Sequence, residues 1–285
     1  MKFLSFKQGS QQGLAVADGA GFKGLLVSDG NYPGPLSELI AQGSDALKRA
    51  GHALLKGAAI DMASVTCLPP LDNPGKIICI GLNYVDHSLE SGFAVPTYPA
   101  IFSRFPTSMV GHGAPIVRPR VSTQLDYEGE LVAVIGKPGR YIAKGDALSH
   151  VAGYSICNDA SIRDYQFKSA QWTIGKNFDN TGPFGPVFVT ADALPAGAAG
   201  LKIETRLNGV VVQSASTSSL IFDVATLVSL LSEAVCLQSG DIIVTGTPSG
   251  VGLARKPPLW MKHGDVCEVE IEGIGILTNP IEDET

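Results

Sequence analysis

The sequence predicts a mixed, β-rich α+β fold carrying a small N-terminal α/β appendage. Two observations lead there. Apolar, strand-like segments follow one another through irregular connections with only a few helical stretches, so the regular strand-helix alternation of a doubly wound sheet is missing. The run Pro69-Pro70-Leu71-Asp72-Asn73-Pro74-Gly75 is the strongest punctuation in the first half. It divides the chain into residues 1–70 and a larger unit, 71–285. With 285 residues, 45% of them hydrophobic and 17% charged, the chain can bury a sizeable core as a soluble globular protein. No internal repeat or low-complexity tract is evident.

Charge and cysteine usage narrow the partners. The net charge is −6 and no lysine or arginine run occurs, which argues against nucleic acid or an anionic membrane surface. The segment Met1-Lys2-Phe3-Leu4-Ser5-Phe6-Lys7-Gln8 lacks the apolar core of a signal peptide. The longest apolar run, Leu220 to Leu237, is interrupted by Asp223 and Glu233, so it is not expected to cross a bilayer. Five cysteines, Cys67, Cys79, Cys157, Cys236 and Cys267, are widely spread with no zinc-type spacing. They are expected to be reduced core residues of a cytoplasmic protein.

In residues 1–70, strands are expected around Lys2 to Phe6, Leu14 to Ala17 and Gly24 to Val27, then one helical region from about Leu36, where Leu36, Leu39, Ile40, Leu47, Leu54 and Leu55 roughly keep helical spacing. No chemistry stands out there. Lys76 to Gly81 is a buried strand running into Leu82 to Gly92, a polar segment expected to form a short helix. On such a helix His87 and Glu90, three apart, share a face. A carboxylate beside an imidazole fixes its tautomer and raises its basicity, as a general base requires. A surface histidine with an incidental neighbour fits the same spacing. The proline- and glycine-rich stretch Pro96 to Pro119 contains Arg104, which could reach an anionic substrate or make an ordinary ion pair.

The stretch Asp126 to Gly136 ends as a strand, and alternate strand residues share a face, so Glu128 and Glu130 point the same way. Two carboxylates about 6 Å apart repel by roughly 3 kcal/mol at an effective dielectric of about 20. In a cleft the pair needs a cation or a proton; on an edge strand it needs only water. Val151 to Asp159 is a second buried strand ending in Asp159, which could serve a site or cap a helix beginning at Ala160. That helix carries Arg163, Asp164 and Gln166, with Arg163 and Gln166 on one face. In the following rigid loop, Lys176 lies among glycine and aromatics, where a partly desolvated ammonium suits an oxyanion or carboxylate partner.

Towards the C terminus, Lys202 to Ser216 reads as a hairpin turning at Asn208-Gly209. Ser219 leads into an amphipathic core helix with Leu220, Ile221, Val224, Leu227, Val228 and Leu231 inward. Asp241 to Gly246 is a buried strand. The loop Thr247 to Gly252 has an anion-cradle composition but no P-loop lysine. A last hairpin spans Asp265 to Leu277, with Glu268, Glu270 and Glu272 on its exposed face.

Together Glu128, Glu130 and Asp159 make an all-oxygen set for a hard divalent cation such as Mg2+ or Mn2+, leaving about half of an octahedral shell for water and substrate. The motifs Gly81-Leu82-Asn83-Tyr84 with His87 and Glu90, Asp126-Tyr127-Glu128-Gly129-Glu130, Asn158-Asp159 with Arg163, Asp164 and Gln166, Gly175-Lys176 with Phe178-Asp179, and Thr245-Gly246-Thr247-Pro248 occur in one order. With these the sequence resembles the fumarylacetoacetate hydrolase family over about residues 72 to 282. The resemblance implies a β-roll-like catalytic domain, commonly a homodimer, with Mg2+ or Mn2+ on Glu128, Glu130 and Asp159. It also implies that His87 and Glu90 activate water on a mobile segment closing over substrate, that Lys176 and Gln166 contact substrate oxygens, and that Thr247 lines the pocket. Arg104, where many relatives have lysine, and Asn180, where threonine is frequent, are expected to affect substrate choice.

The expected activity is metal-dependent hydrolysis of a carbon-carbon bond in a 2,4-dioxo acid of the acylpyruvate or fumarylpyruvate type, because a water-activating dyad has work only in hydrolysis. The alternative is decarboxylation or isomerisation (tautomerisation) of oxaloacetate or another oxo-diacid at the same metal site, expected to survive loss of His87 much better. A third reading is a non-catalytic metal- and ligand-binding protein.

Overall fold

The computed structural model describes residues 1–285 except 91 and 93. At the start, β1 (Lys2–Gln8), β2 (Gln11–Asp18) and β3 (Gly21–Leu26) form an antiparallel meander. The helical region is two helices, α1 (Leu36–Gln42) and α2 (Ser44–Leu54). Gly43 between them sits at φ 91°, a conformation glycine adopts without steric cost. That break is why one continuous periodicity does not describe the segment. It lets Leu36, Leu39, Ile40, Leu47 and Leu54 all pack on Phe3, Leu14 and Val16.

Beyond the proline-rich boundary come β4 (Ile77–Gly81), α3 (Val85–Glu90), β5 (Ala100–Ser103), β6 (Gly129–Ile135), β7 (Val151–Asn158) and α4 (Arg163–Gln166). They are followed by β8 (Gly182–Thr190), β9 (Lys202–Leu207), β10 (Val210–Ser216), α5 (Val224–Ala234), β11 (Ile242–Val244), β12 (Val266–Ile271) and β13 (Gly275–Asp283). The largest sheet runs Ala58–Ala59, β3, β2, β1, β8, β7, β6, β11, β4, β5 along its main path. Hydrogen bonding therefore crosses the boundary, because β1 pairs antiparallel with β8. A five-stranded sheet has the order β10, β9, β12, β13, Ile116–Arg118.

Every residue of β6 is buried, and its two faces feed two cores. Leu131, Ala133 and Ile135 join the cluster with Leu227, Val228 and Leu231 of α5, whereas Val132 and Val134 join the one with Phe184 and Phe188. Burial on both faces explains the unbroken apolar run. β7 and β11 flank β6 antiparallel, and β4 lies parallel to β11. The start of β6 and the far ends of β7, β11 and β4 consequently gather at one rim.

Local departures from the sequence reading have identifiable causes. α5 starts at Val224, not after Ser219, because the Asp223 carboxylate accepts from the Thr226 backbone N–H at 2.7 Å and caps it. No helix begins at Ala160. Ser161–Ile162 first bridges Leu125–Asp126, and only the four-residue α4 follows, so Asp159 caps nothing. Four cysteines are buried as expected, but Cys236 is exposed. Among the described residues no helix is long and apolar enough to cross a membrane.

Candidate active site

At the gathered rim, Glu128, Glu130 and Asp159 each offer a carboxylate oxygen, all within 4.8 Å of one another and all buried. The backbone sets this spacing. The Asp159 N–H donates to the Glu128 carbonyl at 2.8 Å, and the Glu128 N–H donates to the Asn158 side-chain oxygen at 2.9 Å. Cations surround two of the three acids. Lys176 Nζ lies 2.6 Å from both Glu128 Oε2 and Asp159 Oδ2. Arg163 pairs with Glu128 at 2.5 Å and Asp126 at 2.8 Å, and Arg104 pairs with Asp159 at 2.6 Å.

Glu130 differs, since its carboxylate accepts only from the Gly246 backbone N–H at 2.5 Å among the described residues. Burial, then the negative charges of Asp159 and Glu128, push its carboxyl well above the usual range. Burial would do the same to Glu128, but Arg163 and then Lys176 outweigh it and hold that carboxyl at about 2. Burial also opposes the charge on Lys176, and Asp159 and Glu128 restore it, so the ammonium binds its proton more tightly than usual. The buried Tyr84 hydroxyl, whose proton is held more firmly by burial and then by Glu130, has no partner among the described residues. A compact oxygen set with one uncompensated buried carboxylate fits a hard divalent cation.

His87 is buried on α3 with Nδ1 3.0 Å from Glu90 Oε1, so the expected dyad exists. The turn into α3 passes through Leu82 at φ 58°, a left-handed conformation costly for leucine and of the kind that clusters at functional sites. It is held by Asn83, whose buried amide donates to the Thr245 and Phe222 carbonyls and accepts from the Phe222 N–H. Glu90 also receives the Gly250 N–H at 2.9 and 3.0 Å on its two oxygens, which docks α3 on the loop after β11. His87, Glu128, Glu130, Arg163, Gln166, Lys176 and Thr247 line one cavity of about 60 Å³.

Two substrate expectations change. Arg104 is fully engaged behind the site, donating to Asp159, the Ala160 carbonyl, Thr181 and Ser108, and it does not line the cavity. Its guanidinium fork replaces substrate contact with the fixing of Asp159. Asn180 is exposed at φ 57°, a position that suits asparagine in a turn, and is likewise outside the cavity wall. Arg163 and Gln166 do reach the cavity, hydrogen-bonded to each other at 2.8 Å. Thr247 also lines it, although its hydroxyl already bonds Gly129 and Gln213.

The sequence reading assigned no part to Asp126. Its fully buried carboxylate accepts from the N–H groups of Tyr127, Gly252 and Leu253 and from Arg163, joining the acid cluster to the loop that receives Glu90. Its position two residues before Glu128 was the available signal. Burial pushes the Cys79 and Cys157 thiols well above their usual range, which suits neither to act as a nucleophile.

The sequence model described as Fumarylacetoacetate (FAA) hydrolase C-terminal matches residues 76–282. The chain belongs to the fumarylacetoacetate hydrolase family. The mitochondrial oxaloacetate tautomerase fahd2 of Xenopus laevis is 42% identical over 272 residues, 94% of this chain and 85% of that one. Mitochondrial oxaloacetate tautomerase FAHD2A of Homo sapiens is 41% identical over 288 residues, covering 99% of this chain and 91% of the human one. Among solved structures, a fumarylacetoacetate hydrolase from psychrophilic Exiguobacterium antarcticum superposes with a TM-score of 0.86 at 38% identity, over 100% of both chains. A 5-carboxymethyl-2-hydroxymuconate delta-isomerase from Mycobacterium smegmatis does so with a TM-score of 0.78 at 31% identity, also over 100% of both. As a member of the fumarylacetoacetate hydrolase family the protein is an enzyme, with the strand-rich fold of its structural neighbours.

Proposed function

We propose that the enzyme interconverts the enol and keto forms of oxaloacetate or a similarly short 2-oxo dicarboxylate. The observation that carries this reading is likeness to oxaloacetate tautomerases through 94% and 99% of the chain, at 42% and 41% identity. Carbon-carbon hydrolysis, the first expectation from the dyad, is supported only at the level of the family. It becomes the second reading, favoured by the Exiguobacterium hydrolase.

In the proposed reaction a proton leaves C3 of the keto acid for His87, charge arrives on the 2-oxygen, and that oxygen takes a proton from solvent while His87 releases its own to solvent. Glu128, Glu130 and Asp159 would hold Mg2+ or Mn2+, which when bound supplies Lewis-acid stabilisation of oxygen-centred charge. Lys176 and Gln166 donate N–H bonds to the substrate's oxygens and orient it. His87 takes the C3 proton at Nε2, because Glu90 holds the proton on Nδ1 and leaves the other nitrogen basic. The reverse direction returns that proton. The dyad thus has work in tautomerisation as well as in hydrolysis, and loss of His87 does not separate the two.

Product analysis separates them. With Mg2+ or Mn2+ present, ultraviolet decay of the oxaloacetate enol should accelerate without release of pyruvate or carbon dioxide, and acetylpyruvate should stay intact. His87→Ala should lower the tautomerisation kcat by about 10²- to 10⁴-fold. Pyruvate from acetylpyruvate at a higher kcat/KM than oxaloacetate tautomerisation would return the assignment to hydrolase. A homodimer remains our proposal from family likeness, to be read by analytical ultracentrifugation.

A further inference from the structure

We propose that the Trp172 indole is the end wall of the substrate cavity and limits the enzyme to short oxo acids. The inference deepens the tautomerase reading, resting on it only for the place where the 2-oxo acid sits. Glu128, Glu130 and Lys176 line the 60 Å³ cavity together with Trp172, Phe102, Phe167 and Gly81. The indole lies directly on Gly81, where an added Cβ would come within 2.4 Å of Cζ3 and 3.0 Å of Cη2. Absence of a side chain at residue 81 is therefore what seats the ring. Phe102 holds it from the side in an edge-to-face contact, ring centroids 5.6 Å apart at 64°.

The wall is tied to the chemistry. Phe102 also lies 4.9 Å beneath Lys176 Nζ, and the Trp172 carbonyl accepts the Lys176 N–H at 3.2 Å. One turn thus presents both the ammonium and the indole, fixing the distance between the substrate's head and the wall. Trp172 is only partly buried, and Phe167 is exposed beside it. Trimming the indole therefore opens the cavity outward, along an apolar exit.

Phenylpyruvate is the discriminating probe, because it undergoes the same enol-keto interconversion with a phenyl group in place of the distal carboxylate. Wild type should strongly prefer oxaloacetate. Trp172→Ala should raise the ratio of kcat/KM for phenylpyruvate over oxaloacetate by about 10-fold or more. Gly81→Ala should weaken oxaloacetate turnover in wild type and have little effect in a Trp172→Ala background, since the clash is then gone. Calorimetric binding of oxalate and phenylpyruvate in the presence of Mg2+ tests the wall without turnover. Oxalate affinity should be unchanged by Trp172→Ala, and phenylpyruvate affinity should rise about 10-fold or more. Failure of wild type to tautomerise oxaloacetate would overturn the activity but leave this binding test in force. Unchanged phenylpyruvate selectivity and affinity in a folded Trp172→Ala protein would overturn the wall.

Discussion

Two groups of charges on this molecule use the same residue types for opposite ends. On the five-stranded sheet, Arg206 reaches Glu204, Glu268 and Glu270 at 3.0, 3.1 and 2.7 Å, with side chains 17%, 13%, 28% and 44% exposed. At the rim of the large sheet, Asp126, Glu128, Glu130 and Asp159 face Arg104, Arg163 and Lys176, all buried. The first group trades water for partners at little cost. In the second the acids outnumber the cations, and desolvation is costly for every member. Stability alone does not account for such a cluster; an acid set that could hold a metal ion does. Arg104 gives the sharpest break. Arg104→Met leaves Asp159 buried without its guanidinium, and the expected loss is about 3–5 kcal/mol, read from the urea midpoint and slope.

The uncompensated Glu130 turns the comparison into a metal prediction. At a free Mg2+ or Mn2+ concentration 100 times Kd, wild type should gain about 2.7 kcal/mol, or ~5–10 °C in Tm. Glu130→Gln should lose most of that gain while raising the Tm of the metal-free protein, because the amide carries no charge into the cluster. Glu130 also sets the pH dependence. Its proton is held more tightly folded than unfolded, so metal-free stability declines as pH rises from the ordinary value of 4.5 through the raised one. The Tm increment from the metal should accordingly grow as pH rises above 4.5. Glu128 acts in the opposite sense. Its stabilisation is present above 4.5 and fades as pH falls towards 2, which an acid titration of the metal-free protein followed by circular dichroism would show.

The comparison also explains what was legible in the sequence. Strands β4, β6, β7 and β11 announce themselves because both faces are buried, and Glu128 with Glu130 follows from strand alternation alone. His87 and Glu90 are legible because a helix brings residues three apart together. Arg104 left two readings open, substrate contact or an ion pair, for a physical reason. Whether a guanidinium faces substrate or the back of a carboxylate depends on the strand it approaches, and Asp159 is 55 residues away in the chain. The docking of Glu90 on Gly250 spans 160 residues and leaves no local mark. Gly43 and Asp223 did carry local signals, a glycine break and a cap, which a periodicity count overrides. The choice between tautomerase and hydrolase is not in the motif at all, since both readings use the same acids and the same base.

The weakest member of the comparison is the surface group itself. Arg206→Ala removes the charge shared by three glutamates and leaves Glu204, Glu268 and Glu270 on neighbouring strands, so both lost attraction and exposed repulsion count against it. Water reaches every one of these side chains, and the expected loss is about 1 kcal/mol or less. Ionic strength separates this from burial. Raising salt from 0.1 to 1 M shortens the Debye length from about 10 to 3 Å, so the Arg206→Ala penalty should shrink towards zero. The Arg104→Met penalty should persist, because no salt enters between Arg104 and Asp159. Equal salt sensitivity of the two variants in urea unfolding would mean that the rim cluster is as solvated as the sheet face, and the distinction would fall.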